Sequence, residues 1–129
     1  MPELEAAYRG YRDEDGVHVR IEGEGRARQL PPRNSLVDHS PDGFEWGYGG
    51  SGPAQLALAL LADALGTTMD RHKADREAIR LHHKYKWAVV NYLEHAGWYL
   101  TRAAVIEGAR RIAEDHVTRP PARSIPRFD

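Results

Sequence analysis

Hydrophobic and polar residues alternate in the first part of the chain and then stop alternating. Val17-His18-Val19-Arg20-Ile21 has a period of two, the mark of a strand with one buried face. Asp13-Glu14-Asp15-Gly16 reads as a hairpin turn joining it to Tyr8-Arg9-Gly10-Tyr11. Gly23-Glu24-Gly25 predicts a second turn, with a third strand over Arg26–Leu30. Pro31-Pro32 ends that strand, because proline has no N–H to donate to a ladder. Residues 31–52 read as irregular, with a short strand at Phe44-Glu45-Trp46.

From Pro53 to Leu65, alanine and leucine occur on every side of a helical wheel, which predicts a buried helix. Pro53 suits its first position, Ser51 or Gly52 its cap, and Gly66 its stop. Met69 to about Leu93 predicts an amphipathic helix, with Ala78, Leu81, Tyr85, Ala88, Val89 and Tyr92 at spacings of three and four, broken by Gly97. Trp98-Tyr99-Leu100 reads as a short strand, and Thr101 caps a third helix from Arg102 to His116. The tail from Val117 to Asp129, with three prolines and three arginines, reads as extended or disordered.

These elements predict an α+β fold: a small N-terminal antiparallel sheet, a glycine-rich loop leading into a buried helix, then two further helices. Residues 1–116 form one domain on this reading and 117–129 the tail. A short sheet and a helix apolar all round call for more cover than 129 residues supply, so a homodimer is expected.

Charge changes the picture only locally. The formal net charge is −1, which gives no whole-surface attraction to nucleic acid or an acidic membrane. Yet residues 34–70 contain no lysine or arginine, and twelve of the eighteen basic residues follow residue 70. Those on the second and third helices raise a DNA-binding reading. The small excess charge and the extended Trp98-Tyr99-Leu100 turn weigh against it, so direct DNA binding is not expected. The absence of cysteine removes disulfides, thiolate zinc sites and cysteine nucleophiles, and suits the cytoplasm. The opening Met1–Glu5 lacks the features of a secretion signal, and the longest apolar run, Leu56–Ala62, is too short to span a bilayer.

The candidate chemistry lies at Gly43–Leu56, where glycines alternate with Trp46, Tyr48 and Glu45 just before the buried helix. Glycine admits close approach of the backbone, and a helix start offers free N–H groups and a positive dipole end to an anion. The segment is not a Walker loop, since Pro53-Ala54 stands where that loop needs Lys-Ser/Thr. Nor is Gly47-x-Gly49-x-x-Gly52 a dinucleotide fingerprint, since no strong parallel strand precedes it. The expected ligand-binding residues are Arg33, Trp46, Gly47, Tyr48, Gly49, Gly50, Ser51, Gly52 and Gln55. Ser51 and the loop amides would take a phosphate, Trp46 or Tyr48 would stack on a base, and Arg33 would neutralise charge. A competing reading makes the glycines a tight packing turn.

His39, just ahead of this segment, is a candidate general base or phosphate contact, with Tyr48 a second catalytic candidate. His72, His82 and His83 lie on the second helix with Asp75 and Glu77, but no two of the histidines stand at the i,i+3 or i,i+4 spacing of a helical metal pair. They read as solvated helix faces. No metal site and no cofactor is expected.

The run Ser40-Pro41-Asp42-Gly43-Phe44-Glu45-Trp46-Gly47-Tyr48-Gly49-Gly50-Ser51-Gly52-Pro53-Ala54-Gln55-Leu56-Ala57-Leu58-Ala59-Leu60-Leu61, with Leu30-Pro31-Pro32-Arg33-Asn34-Ser35-Leu36 upstream, resembles the signature of a bacterial and phage domain-of-unknown-function family, the one numbered six-one-six-six. That family brings no activity with it. Gly49-Gly50-Ser51-Gly52-Pro53-Ala54-Gln55-Leu56, followed by Leu60-Leu61 and Leu65-Gly66, is also similar to the loop and helix of viral ring nucleases, which cleave cyclic oligoadenylate signals and blunt type III CRISPR defence. Their loop carries a catalytic histidine where this chain has Gly49 or Gly50, so the resemblance implies binding rather than cleavage. The expected function is a phage-related or mobile-element-related anti-defence sponge that captures a small anionic, cyclic nucleotide signal. The alternatives are a ring-nuclease-like enzyme and a protein-interaction inhibitor that uses the glycine loop as scaffold.

Overall fold

The computed structural model describes residues 5–118. Four strands form one antiparallel sheet: β1 (Ala7–Asp13), β2 (Gly16–Glu22), β3 (Arg28–Gln29) and β4 (Gly97–Thr101), in the order β3-β2-β1-β4. Asp13↔Gly16 closes the first hairpin, as the Asp-Glu-Asp-Gly turn predicts. The third strand shrinks to two residues. The sequentially distant Trp98 segment instead pairs along β1, with Tyr8 opposite Leu100 and Gly10 opposite Trp98. This makes β1 a central strand.

Period-two alternation decides the two faces. Tyr8, Gly10, Val19, Ile21 and Trp98 are buried, whereas Arg9, Tyr11, His18, Arg20 and Tyr99 lie on the opposite, wetter face. Arg9 there lies over the Tyr99 ring and pairs with Glu22, while Tyr11 stacks on His18. On the inner face the Trp98 indole lies directly against Gly10, where any Cβ would collide with the ring.

Helix α1 (Ser51–Leu65) is buried from Gly52 to Leu65 except at Asp63. Its cover comes from within the chain. Helices α2 (Arg71–Ala88) and α3 (Arg102–Thr118) pack against it, and the inner face of the sheet closes the same core. The apolar-all-round helix, one of the two grounds for the dimer expectation, is thus covered within the chain. Asp63, the polar break in α1, accepts a hydrogen bond from Tyr8 Oη at 2.6 Å and pairs with Arg102 at 3.1 Å. Arg102 also forks onto Glu24 with two bonds of 2.8 Å, tying α3 to the β2–β3 turn and to α1.

Helix boundaries differ from the sequence expectation, among them the end of α3, which lies at Thr118 and takes in two residues read as tail. Helix α1 starts at Ser51 with Gly50 as its cap and no side-chain cap bond, so Pro53 sits at the third helical position. That placement costs nothing, because the first four N–H groups of a helix lack intrahelical partners. The first helical bond runs from Ala54 N–H to Gly50 O. Helix α2 starts later than Met69 because the Asp70 carboxylate accepts from Lys73 N–H and caps it. It ends at Ala88, followed by one 3-10 turn over Val90–Tyr92. The predicted strand at Phe44-Glu45-Trp46 is irregular chain, fastened by side chains rather than a ladder. Thr101 caps α3 as expected, its Oγ1 accepting from Ala104 N–H. No helix among the described residues is long and apolar enough to cross a membrane. The tail from residue 119 onward lies outside the described residues.

Candidate functional site

The irregular segment 31–50 is positioned by one buried side chain. Gln55 projects from the first turns of α1, and its amide is fully engaged. Oε1 accepts from the N–H groups of His39 (2.7 Å) and Ser40 (3.2 Å), and Nε2 donates to Pro32 O (2.7 Å) and Val37 O (3.1 Å). Those four bonds exhaust the hydrogen-bonding capacity of an amide. Arg33 adds a second tie, pairing with Asp75 on α2 at 3.0 Å. Its backbone has a positive φ of 58°, a conformation that a non-glycine residue holds only when its surroundings require it. Both residues, expected on a ligand, therefore work as internal fasteners of this loop.

The loop delivers His39 to α2. His39 Nε2 lies 2.9 Å from His82 Nε2, and the exposed His83 ring is 4.2 Å from that of His82 and 5.4 Å from that of His39. One nitrogen from each ring falls within 4.8 Å of the other two. The tautomers follow from the partners. Ile79 O can only accept, so the 2.7 Å contact places the His82 proton on Nδ1 and its lone pair on Nε2. His39 then donates its Nε2–H to that lone pair. Burial lowers the pKa of both rings below the ordinary histidine value; His83 and Lys86 add to this at His39, against the raising effect of Asp38. His82 is further lowered by His83 and His39, while the Ile79 carbonyl acts in the opposite sense.

The spacing along α2 does not show this cluster. His82 and His83 are adjacent, and the third ring arrives from 43 residues away.

The glycines next to the cluster have packing partners. Trp87, one turn beyond His83, lays its ring on Gly49 so closely that any Cβ there would collide. Tyr48 covers Gly50, where a Cβ would lie 2.6 Å from the Tyr48 ring. Gly47 has a positive φ of 86° and donates its N–H to Val90 O at 3.0 Å. Gly52 is buried against Glu45, and Ser51 is exposed. Trp87 is 55 % exposed and Tyr48 51 %. Lys86 Nζ sits 4.5 Å from the Trp87 ring centre.

Trp46, expected to stack on a base, is buried: its Nε1–H donates to His95 O at 3.1 Å and the Arg12 guanidinium covers it at 4.6 Å. Arg12 also forks onto Glu45, keeping that carboxyl below the ordinary glutamate value. The sequence reading missed Trp87, His82, His83 and Lys86 as neighbours of the loop. Spacing alone did hold a clue, since His83 and Trp87 stand at i,i+4 on one face of α2.

A cleft of about 420 Å3 opens at the start of α1, lined by Asp15, Asp42, Glu45, Tyr48, Ser51 and Gly52 among others. Among the described residues no lysine or arginine lines it. Its charge disfavours a phosphate directly at the helix start. The histidine side of the loop, with His39, His83 and Lys86, has the opposite character.

The family described as Family of unknown function (DUF6166) matches residues 8–111. No curated protein and no solved structure matches the chain.

Proposed function

The chain belongs to the family of unknown function DUF6166, and from its site we propose that it is a small binding protein that captures an anionic nucleotide and holds it intact. The observation that carries this reading is the half-exposed Trp87 ring packed on Gly49, with Lys86 Nζ 4.5 Å from its centre and His83 one turn back on α2. A base stacks on such a ring without sequence-specific contacts, and each stacked base is worth about 1–3 kcal/mol. An imidazole N–H of the exposed His83 and the Lys86 ammonium then meet the phosphate. The glycines serve this reading indirectly, by letting the rings approach the backbone closely. In a phage or mobile-element setting, such capture would withdraw a cyclic nucleotide signal from a defence system.

The test is calorimetry with a panel of linear and cyclic nucleotides, coupled to chromatography of the ligand afterwards. Binding with intact ligand recovered, weakened roughly tenfold or more by Trp87→Ala, supports the reading. Absence of heat across the panel defeats it. A cleaved product that disappears in His39→Ala would replace it with the enzyme reading.

A further inference from the structure

We propose that His39, His82 and His83 form a three-histidine site for a borderline divalent transition ion such as zinc. Three features carry the proposal. First, the donors converge: one ring nitrogen from each lies within 4.8 Å of the others. Two imidazole nitrogens bound tetrahedrally to one zinc, each at about 2.0–2.1 Å, stand roughly 3.3 Å apart. The 2.9 Å between His39 and His82 needs to open by only a few tenths of an ångström.

Second, His82 is already set up as a ligand. It is 3 % exposed, and its Nδ1–H donates to Ile79 O, which leaves Nε2 as the lone pair aimed at His39. A metal-binding histidine characteristically gives its other N–H to a carbonyl or carboxylate in this way, which fixes tautomer and orientation. Third, the segment carrying His39 is held at its own N–H by Gln55 of the buried helix. Loss of freedom at a loop ligand is thereby met by the fold before any ion arrives.

The donor set selects the ion. Three imidazoles and no carboxylate in the cluster suit zinc, cobalt, nickel or copper and offer nothing to magnesium or calcium. Ligation through Nε2 requires the His39 proton to move to Nδ1, so both rings bind as neutral imidazoles and the His39–His82 hydrogen bond is replaced by two bonds to the metal. Three protein ligands leave a fourth position to solvent on the exposed His83 side. The charge of Lys86 reaches His39 and would favour an anion at that position. The proposal does not rest on nucleotide binding, because zinc alone is its probe.

The test is titration of the full chain, freed of metal, with zinc chloride by calorimetry and with cobalt(II) by visible absorption. The expected result is one equivalent per chain and a cobalt spectrum of four- or five-coordinate nitrogen ligation. His39→Ala and His83→Ala should each weaken zinc by tenfold or more, while His72→Ala, on the same helix but exposed and outside the cluster, leaves affinity unchanged. His83 is exposed, so its variant reports ligation without threatening the core. Imidazole NMR provides a readout in the unaltered chain: the signals of His39, His82 and His83 move together on zinc addition, and those of His18 and His72 stay. No uptake overturns the proposal. So does uptake that His39→Ala and His83→Ala both leave intact.

Discussion

Replacing Gln55 by alanine removes four hydrogen bonds at once and leaves the N–H groups of His39 and Ser40 and the carbonyls of Pro32 and Val37 without their partner. An intramolecular hydrogen bond contributes about 1 kcal/mol net, and an unsatisfied buried group costs about 1–3 kcal/mol. The loop lies at the surface, so water can reach part of the released backbone. The expected loss is therefore about 2–4 kcal/mol, near the lower end of a full four-bond penalty. At about 4 °C per kcal/mol for a domain of this size, the Tm falls by about 8–16 °C.

Gln55→Met separates the two contributions, since it restores side-chain volume and restores none of the bonds. Urea unfolding should show both variants with a lowered midpoint and an unchanged slope. The loop should also release His39, so both variants bind zinc more weakly than the native chain. A Gln55→Met midpoint equal to that of the native chain would refute the hydrogen-bond argument. A destabilised variant with native zinc affinity would refute the positioning of His39.

Two further outcomes follow from named contacts. Gly49→Ala should lift the Trp87 ring off the loop, raising acrylamide quenching of its fluorescence, while unfolding shifts by under about 1 kcal/mol because the ring is half exposed; unchanged quenching, read against Trp87→Phe, contradicts the packing. Arg102 holds the Glu24 carboxyl at about 2, from 4.5, chiefly through its hydrogen bonds. A depressed carboxylate contributes stability that is present above pH 4.5 and lost as pH falls toward 2. Glu24 is partly exposed, so screening holds the contribution below about 1 kcal/mol. Glu24→Gln should therefore flatten the acid limb of the stability curve, and a curve that superimposes on the native one contradicts the pairing.

The local structure was legible where neighbouring residues decide it. Period-two alternation at Val17–Ile21, the Asp-Glu-Asp-Gly turn, the apolar-all-round run to Leu65 and the Thr101 cap each act within a few residues, and each element formed where it was read. Boundaries moved at Asp70, whose carboxylate accepts from Lys73 N–H and sets the start of α2, and at Ser51, where α1 begins two residues before Pro53. The glycine run was recognisable as special, but its composition fits a phosphate loop and a packing turn equally well.

What only the tertiary structure decided is who meets whom. Gln55 looked like a ligand residue and is a fastener, because polarity in a sequence does not say whether the partner is solvent, ligand or backbone. Trp46 looked like a stacking ring and is core, whereas Trp87, far along the chain, packs half-exposed on Gly49. His39 and His82 are 43 residues apart, and their approach depends on Gln55 and Arg33 drawing the loop onto α1 and α2. Sequence by itself determined the elements and the family, since both are carried by short-range pattern. The site was decided by long-range packing, because a cluster of rings from a loop and a helix has no spacing of its own to read.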